Sequence, residues 1–208
     1  LWLVEMDKLQ FALVGWSCII EPGDQSASLL IQTVGAIEAL ELVAEGLGAN
    51  QILENNPALL DEFNSVFVNG PRTLTEALER WRPRLVFSEI SDLISRHTAL
   101  GGFIITRGSV GWPASLEDLG LAAPPALWCH GNPELFRALE KSVAVVGSRI
   151  ATEYGRLITA ELVSELVASN MTTLSGGAFG IDSSAHQAAL DLGGATVAVL
   201  AGGSDRFY

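Results

Sequence analysis

The segment TLSGGAFGIDSSAHQAAL, residues 173 to 190, concentrates side chains that are capable of chemistry. Asp182 and His186 are four residues apart, so on a helix they share one face and can form an acid–base pair. No G-x-S-x-G elbow is present, and Asp182 as a helix N-cap with His186 as a hydrogen-bonded packing residue explains the pattern without catalysis. We therefore expect no catalytic residue here, although serines lie nearby as candidate nucleophiles: Ser175, Ser183 and Ser184.

Glycine-bearing loops follow three apolar segments in the C-terminal half: GSRIATEYG at residues 147 to 155, SGGAFGID at 175 to 182 and GGSDRFY at 202 to 208. Glycine lets the backbone approach a ligand closely, and two of these loops open helices, whose free N–H groups attract anions. Arg149 adds a planar guanidinium group that suits phosphate. The three loops together predict a phosphate-binding edge.

The sequence argues against a nucleotide cofactor or a bound metal. The first loop lacks the second and third glycines of G-x-G-x-x-G, and residues 172 to 175 contain no acid for a ribose. No G-x-x-x-x-G-K-[ST] loop occurs for a nucleoside triphosphate. Cys18 and Cys129 are far apart without C-x-x-C spacing, so we expect buried free thiols rather than a zinc site or a disulfide.

Alternating strand and helix patterns position these loops from residue 142 onward. SVAVVGSR, TTLSGG and TVAVLAGG predict buried strands, with helices between them. Thr152 is expected to cap the first of these helices and Asn170 to end it. This β-α-β-α-β order with near-continuously apolar strands predicts a parallel sheet covered on both faces. All three strands then end at one edge, where ligands of open α/β sheets bind.

The first hundred residues predict a small helical bundle. Residues 29 to 46 carry apolar side chains at helical spacing, Pro22-Gly23-Asp24 is a turn signal, and Asn56-Pro57 opens a further helix. Another helix is expected at residues 73 to 82, and Pro83 is expected to start the last one. The predicted core consists of Leu13, Leu30, Val34, Leu40, Leu59, Phe63, Leu78, Trp81, Leu85 and Ile90.

These patterns divide the chain into two domains, a helical one at residues 1–100 and an α/β one at 101–208. The short strand candidates GGFIITRGS and ALWCHG, with a one-turn helix ending at Gly120 between them, are expected to join the sheet of the second domain. Neither a membrane-spanning run nor a leader is recognised, so we expect a cytoplasmic protein.

Charge limits the kinds of partner. The net charge of −12 argues against a surface coated for nucleic acid, although it permits a local site. Basic residues cluster in one stretch, at Arg72, Arg80, Arg82 and Arg84. A solvated helix face explains this cluster more simply than a patch that follows phosphates.

The motifs resemble those of a known family. VAVVGSRIATEYG, TLSGGAFGIDSSAHQAALDLGGATVAVLAGGSDRFY and the approach WPASLEDLG…PPALWCHGN are similar to the DNA-processing protein A family, also called DprA or Smf. The resemblance is dense from Trp112 to Tyr208. Before that it is weaker, and EPGDQSASLLIQTVGAIEAL resembles the family's helical domain, which is of the sterile-alpha-motif-like (SAM-like) kind.

The resemblance implies a Rossmann-like α/β domain, preceded by the small helical SAM-like domain, in a protein that binds single-stranded DNA without catalysing a reaction. Family members protect incoming strands in natural transformation and load the RecA recombinase onto them, usually as a homodimer through the Rossmann-like domain. The family's sheet continues past the position of Tyr208, so we expect this domain to be incomplete at its C-terminal end.

The same resemblance implies which residues meet DNA. By position in the motifs, Arg149 contacts a phosphate while Gly147 and Ser148 shape its turn, His186 belongs to an A-H pair, and Tyr208 lies in the third loop. Backbone N–H groups and one arginine would grip phosphates without reading bases. The full expected set is Gly147, Ser148, Arg149, Thr152, Tyr154, Gly155, Ser175, Gly176, Gly177, Gly180, Asp182, His186, Gly202 and Gly203.

Two other functions compete with DNA binding. A nucleoside-monophosphate phosphoribohydrolase of the "lonely guy" type has a similar Rossmann-like edge, but its P-G-G-x-G-T-x-x-E signature is not found in this sequence. A scaffold protein whose helical domain binds only other proteins would retain neither nucleotide nor DNA.

Overall fold

Two units make up the chain, which a computed structural model describes at residues 6–133 and 139–202. Contacts between Cα atoms divide it after Cys129, so that the second unit begins at His130. The division into functional domains near residue 100 stays a prediction. The chain has a helical N-terminal region followed by a parallel sheet, which confirms the predicted α/β class.

Helices form most of the first unit. They are α1 (Lys8–Ile19), α2 (Gln25–Val34), α3 (Ala36–Ala44), α4 (Ala49–Asn55), α5 (Pro57–Val66), α6 (Gly70–Trp81) and α7 (Phe87–Ala99). Strand β1 (Phe103–Thr106), a 3-10 segment (Ala114–Ala122) and strand β2 (Ala126–Cys129) follow them.

The predicted core of the bundle is confirmed. All the predicted residues are buried except Val34 and Leu85, which are partly buried and pack against the core. Trp16 and Trp81 meet edge to face at its centre, with ring centroids 5.3 Å apart. The apolar periodicity therefore identified the buried faces of these helices correctly.

The expectation of one helix over residues 29 to 46 is wrong, because the chain turns at Gly35. Gly35 has a φ of 89°, and α2 and α3 are bent by 114° there. Since a positive φ is strained for residues other than glycine, Gly35 ends one helix and caps the next. The last helix also differs from its prediction: Pro83 lies in a 3-10 turn (Arg82–Arg84), and α7 begins only at Phe87.

The four clustered arginines all have hydrogen-bond or ion-pair partners within the helical unit. Arg72 pairs with Glu76 at 2.8 Å, Arg80 with Asp24 at 3.2 Å and Arg84 with Glu21 at 2.6 Å. Arg82 donates to the carbonyl of Val43, in the last turn of α3, and to that of Leu47, just beyond the end of this helix. These partners support the interpretation of a structural helix face over that of a phosphate patch.

Strands β1 and β2 form a sheet of their own. They pair antiparallel, from Phe103 opposite Cys129 to Thr106 opposite Ala126. Trp128 of β2 donates its Nε1 hydrogen to Ser17 Oγ of α1 at 3.0 Å. The prediction that these strands join the parallel sheet is therefore wrong, because in the described residues their hydrogen bonds are used on each other and both strands lie against α1.

The second unit contains the predicted β-α-β-α-β order. Its elements are β3 (Ser142–Ala144), α8 (Glu153–Ala168), β4 (Thr172–Ser175), α9 (Ile181–Asp191) and β5 (Thr196–Ala198). The strands are parallel in the order β3-β4-β5. Thr152 Oγ1 accepts a hydrogen bond from Gly155 N at 3.1 Å, and Asn170 has a φ of 53°, so the predicted cap and stop are both confirmed.

Both helices of this unit pack on one face of its sheet. Val163 and Leu166 of α8 share a buried cluster with Ala185 and Ala189 of α9 and with Val145. Strands that are neighbours in both sequence and space, joined by right-handed crossovers, place successive helices on the same side. The expected cover on both faces is therefore not found in the described residues.

Buried Thr173, in the middle strand β4, yields a stability prediction. Its side chain is 0% exposed, and its Oγ1 has no hydrogen-bond partner among the described residues. Thr173→Val should stabilise the protein by about 1 kcal/mol, because an unpaired buried hydroxyl is replaced by a methyl group of similar volume. Urea unfolding followed by far-UV circular dichroism measures the change.

Thr159 of α8 supplies the matched control. It is also buried, but its Oγ1 donates to Gly155 O at 2.8 Å. Thr159→Val should therefore not stabilise the protein. Equal stabilisation by the two substitutions would show that the unpaired hydroxyl is not the cause.

The described residues contain neither a single membrane-spanning helix nor a cluster of metal-binding side chains. No single helix there is long and apolar enough to cross a bilayer; only the bent pair α2 and α3 passes that test when counted together. The described ranges contain no group of three His, Cys, Asp or Glu side chains able to hold a metal. Both cysteines are free thiols, and burial raises the pKa of Cys129 to about 12 and also raises the pKa of partly buried Cys18, which disfavours the thiolate form in both.

Candidate functional site

The ends of β3 and β4 bring two of the predicted loops together at one edge of the second unit. Residues 146–152 follow β3, and residues 176–180 follow β4. Both loops lead into the N-terminus of a helix, where unpaired N–H groups and the helix dipole favour anions. The third loop is described only as far as Gly202, so Gly203 and Tyr208 lie outside the described residues.

The two loops interlock through their backbones. Ile181 N donates to Ser148 O at 3.1 Å. Gly180 has a φ of 89°, and a Cβ placed on it would lie 2.2 Å from Ser148 O and 2.6 Å from Arg149 O. A Cβ on Gly147 would lie 2.7 Å from Ile181 Cγ1. Glycine at 147 and 180 is thus required for one loop to pack against the other, a reason that the sequence does not reveal.

Asp182 does not cap α9, which corrects the prediction. Gly180 is the N-cap and contributes no side-chain cap, while Asp182 lies in the first turn and is only 8% exposed. A Cβ placed on Gly176 would lie 2.6 Å from Asp182 Oδ2. The carboxylate therefore packs directly on the glycine that follows β4.

His186 holds the same loop from the other side. Its Nε2 lies 2.9 Å from Gly176 O, and its Nδ1 lies 2.7 Å from Thr196 Oγ1 on β5. Thr196 Oγ1 is also 3.1 Å from Thr173 O. The prediction that His186 is a hydrogen-bonded packing residue is confirmed. Because both ring nitrogens have partners within the protein, His186 does not form the acid–base pair with Asp182 that the spacing allows.

Other predicted hydroxyl groups have structural partners. Ser175 is 3% exposed and donates to Val145 O at 2.6 Å, which joins β4 to β3. Ser148 Oγ accepts from Ile150 N at 3.1 Å and stiffens the first loop. Ser183 and Ser184 donate to Gly180 O at 3.0 and 2.8 Å. These serines shape the edge, and within the described ranges none of them is hydrogen-bonded to a general base.

Arg149 is the predicted site residue whose charge stays available. It is exposed and forms no ion pair with any residue in the described ranges. Tyr154, in the first turn of α8, is 73% exposed. Gly202 is open, since a Cβ there would meet nothing within 4 Å. Among the predicted residues that the structure describes, the edge therefore presents the guanidinium of Arg149, the ring of Tyr154 and exposed backbone.

Two further residues were missed by the sequence reasoning. Phe179 lies between the glycines of the second loop and is 72% exposed, although such a large apolar ring is normally buried. Arg156 is exposed in the first half of α8 without an ion pair to the described residues. Phe179 could have been found from the sequence, because it is an aromatic residue inside a glycine-rich loop. Arg156 offered no signal in the sequence beyond its charge.

The predicted residues are thus only partly assembled. Direct contacts connect Gly147, Ser148, Arg149 and Gly180 in one group and Gly176, Asp182 and His186 in another. Gly155 also approaches the first group, because a Cβ on it would lie 3.4 Å from Ile181 Cδ1.

The second half of the chain matches a known protein family. A family model described as DNA recombination-mediator protein A matches residues 103–208. A putative DNA processing protein DprA from Mycobacterium tuberculosis is 32% identical over 198 residues, 92% of this chain and 46% of that protein. DNA processing protein DprA from Streptococcus pneumoniae is 42% identical over 97 residues, 47% of this chain and 33% of the relative.

Two other comparisons extend the match. Protein Smf from Synechocystis is 42% identical over 119 residues, 56% of this chain and 30% of the relative. The X-ray structure of DNA processing protein A from Streptococcus pneumoniae has a TM-score of 0.59 at 24% identity, covering 99% of this chain and 61% of the solved one, and so shares its fold. This chain spans less than half the length of each of the curated relatives described.

Proposed function

Because this chain belongs to the DNA recombination-mediator protein A family, known as DprA or Smf, we propose that it is part of a protein that binds single-stranded DNA without sequence preference and acts in recombination. The observation that carries the proposal is Arg149, an exposed guanidinium without an ion-pair partner in the described residues. It stands on a loop whose backbone is locked against the start of α9 by Ile181 N and Gly180.

A phosphate backbone is the ligand that this edge suits best. A guanidinium fork matches phosphate oxygens, and helix N-termini add N–H donors without any preference for a base. The proposed binding edge is therefore built by the predicted residues, with Gly203 included from the sequence alone. Arg149 and the N–H groups of the loops contact phosphate, whereas buried Ser175 and Asp182 and hydrogen-bonded His186 hold the loops in shape. Single-stranded rather than double-stranded DNA is favoured by exposed Tyr154 and Phe179, on which unpaired bases can stack.

The charge distribution supports a DNA contact that is confined to this edge. The chain carries a net charge of −12, and the arginines of the helical unit bind carboxylates and carbonyls of their own unit. A broad electrostatic footprint is therefore not available. We place the DNA contact on the second unit and assign none to the helical bundle.

We propose further that the protein binds DNA without catalysing a reaction. Ser175, a candidate nucleophile, and His186, the candidate general base, are both hydrogen-bonded to main-chain oxygens. No observation favours the phosphoribohydrolase alternative. The remaining parts of the proposal follow from the family: protection of incoming DNA in natural transformation, loading of the RecA recombinase, a homodimer formed through the Rossmann-like domain, and action in the cytoplasm.

Arg149→Ala tests the proposed site in the full-length protein that contains this chain. Affinity for a fluorescent oligodeoxythymidine should fall roughly tenfold, because one charge-assisted hydrogen bond to phosphate is worth about 1.5 kcal/mol. The slope of log Kd against log salt should decrease by about 0.7, since one phosphate contact is lost. Fluorescence anisotropy at several salt concentrations measures both quantities.

Arg72→Ala is the control for that experiment. Arg72 is also an exposed arginine, with a side chain 75% exposed and paired to Glu76, but it lies in the helical unit. Its removal should change neither the affinity nor the salt slope. If the two variants behave alike, or if the wild-type protein does not bind the oligonucleotide, the proposed site is wrong.

A further inference from the structure

His186 forms a bridge between three elements of the second unit. It lies on α9, its Nδ1 is 2.7 Å from Thr196 Oγ1 on β5, and its Nε2 is 2.9 Å from Gly176 O at the end of β4. Because a carbonyl oxygen only accepts hydrogen bonds, Nε2 must carry the hydrogen and donate it.

The bond to Gly176 O also orients the next N–H group. The described residues contain no cis peptide bond, and in a trans peptide the C=O of one residue and the N–H of the next point in opposite directions. With Gly176 O directed at His186, the N–H of Gly177 is directed away from α9. This donor belongs to the loop that leads into the helix N-terminus.

Two glycines in succession leave the orientation of this peptide to be set by contacts with other residues. Gly176 and Gly177 have no side chains, so their backbone has access to many conformations of similar energy. On one side Gly176 is closed in by Asp182 Oδ2, which lies 2.6 Å from the position of a Cβ. On the other side His186 fixes the carbonyl, and the two contacts together select one orientation of the peptide.

We propose that His186 is a positioning residue, which holds the Gly176–Gly177 peptide so that the Gly177 N–H is presented to a phosphate of bound single-stranded DNA. The inference rests on the proposed function and adds to it a role for a side chain that does not itself touch DNA. It predicts that the donor at Nε2 matters for binding and that the contact at Nδ1 does not.

A pair of amide substitutions separates the two ring nitrogens in the full-length protein. The amide nitrogen of glutamine reaches about as far as Nε2, whereas that of asparagine reaches only about as far as Nδ1. His186→Gln should bind oligodeoxythymidine within about twofold of wild type, and His186→Asn should bind about tenfold more weakly. Since both side chains are uncharged, the two variants should share one salt slope, in contrast to Arg149→Ala. A merely structural histidine would give equal losses in both variants, which overturns the proposal.

Backbone NMR provides a test that needs no stable variant. Addition of oligodeoxythymidine to the wild-type protein should shift the Gly177 amide resonance, and an unmoved Gly177 resonance in the DNA-bound protein overturns the proposal.

A failure of the proposed function can be distinguished from a failure of the proposed role of His186. If the wild type does not bind DNA, the proposed function fails, and the dependent inference fails with it. If wild type binds and Arg149→Ala weakens binding, while His186→Asn matches His186→Gln or Gly177 does not shift, only the role of His186 fails.

Discussion

Gly180→Ala is expected to separate the two loops of the binding edge and to destabilise the second unit by about 3 kcal/mol. The new Cβ would lie 2.2 Å from Ser148 O and 2.6 Å from Arg149 O, distances at which the backbone must move. The φ of 89° adds strain that alanine does not tolerate well. Since the displaced loop carries Arg149, affinity for oligodeoxythymidine should fall by about tenfold or more.

Gly193→Ala is the matched control for this result. Gly193 also has a positive φ, 68°, but a Cβ there would meet nothing within 4 Å. It should therefore cost only the conformational strain, about 1 kcal/mol, and leave DNA binding unchanged. Urea unfolding and anisotropy titrations of both variants measure the difference. Equal destabilisation would mean that loop packing is not what requires glycine at position 180.

Asp24→Ala should have the largest effect in the helical unit, about 3 kcal/mol. Asp24 Oδ1 accepts from Ser26 N at 3.1 Å and Ala27 N at 3.2 Å and so caps α2. Its Oδ2 accepts from Arg80 at 3.2 Å and from Trp81 Nε1 at 3.0 Å. Its side chain is only 6% exposed, so alanine would leave buried donors without a partner.

Tryptophan fluorescence in urea reports this unit, because Trp16 and Trp81 both lie in its core. Glu76→Ala is the control. It removes a carboxylate that pairs with an arginine of α6, as Asp24 does, but the pair of Glu76 with Arg72 is exposed. Its expected cost is at most about 0.5 kcal/mol. A loss for Asp24→Ala no larger than this would refute the assignment of Asp24 as the connection between α2 and α6.

Local features of the fold were predictable from the sequence. Thr152 as a cap, Asn170 as a stop and Pro57 as the start of a helix each depend on a few neighbouring residues. The buried faces of the helices and the parallel order of the three strands follow from apolar periodicity. These signals are local, so a single sequence contains them.

Backbone dihedral angles and contacts between residues distant in sequence were predicted less well. Apolar spacing continues across Gly35 and cannot show that its φ is positive, so one helix was predicted where two exist. The sequences of β1 and β2 predict strands but do not show which sheet the strands belong to. Their mutual hydrogen bonds show that they form a separate sheet. Arginine spacing likewise did not reveal Asp24 or Glu21 as partners.

The sequence by itself determined that the loops after β3 and β4 meet at one edge of the sheet, because parallel strands end on one side and their loops must gather there. Only the tertiary structure decided what those residues do. Gly147 and Gly180 are small because another loop packs on them, Asp182 packs on Gly176 instead of capping, and His186 bonds the same glycine. Such roles depend on contacts between residues in different elements, and these contacts exist only once the sheet has formed.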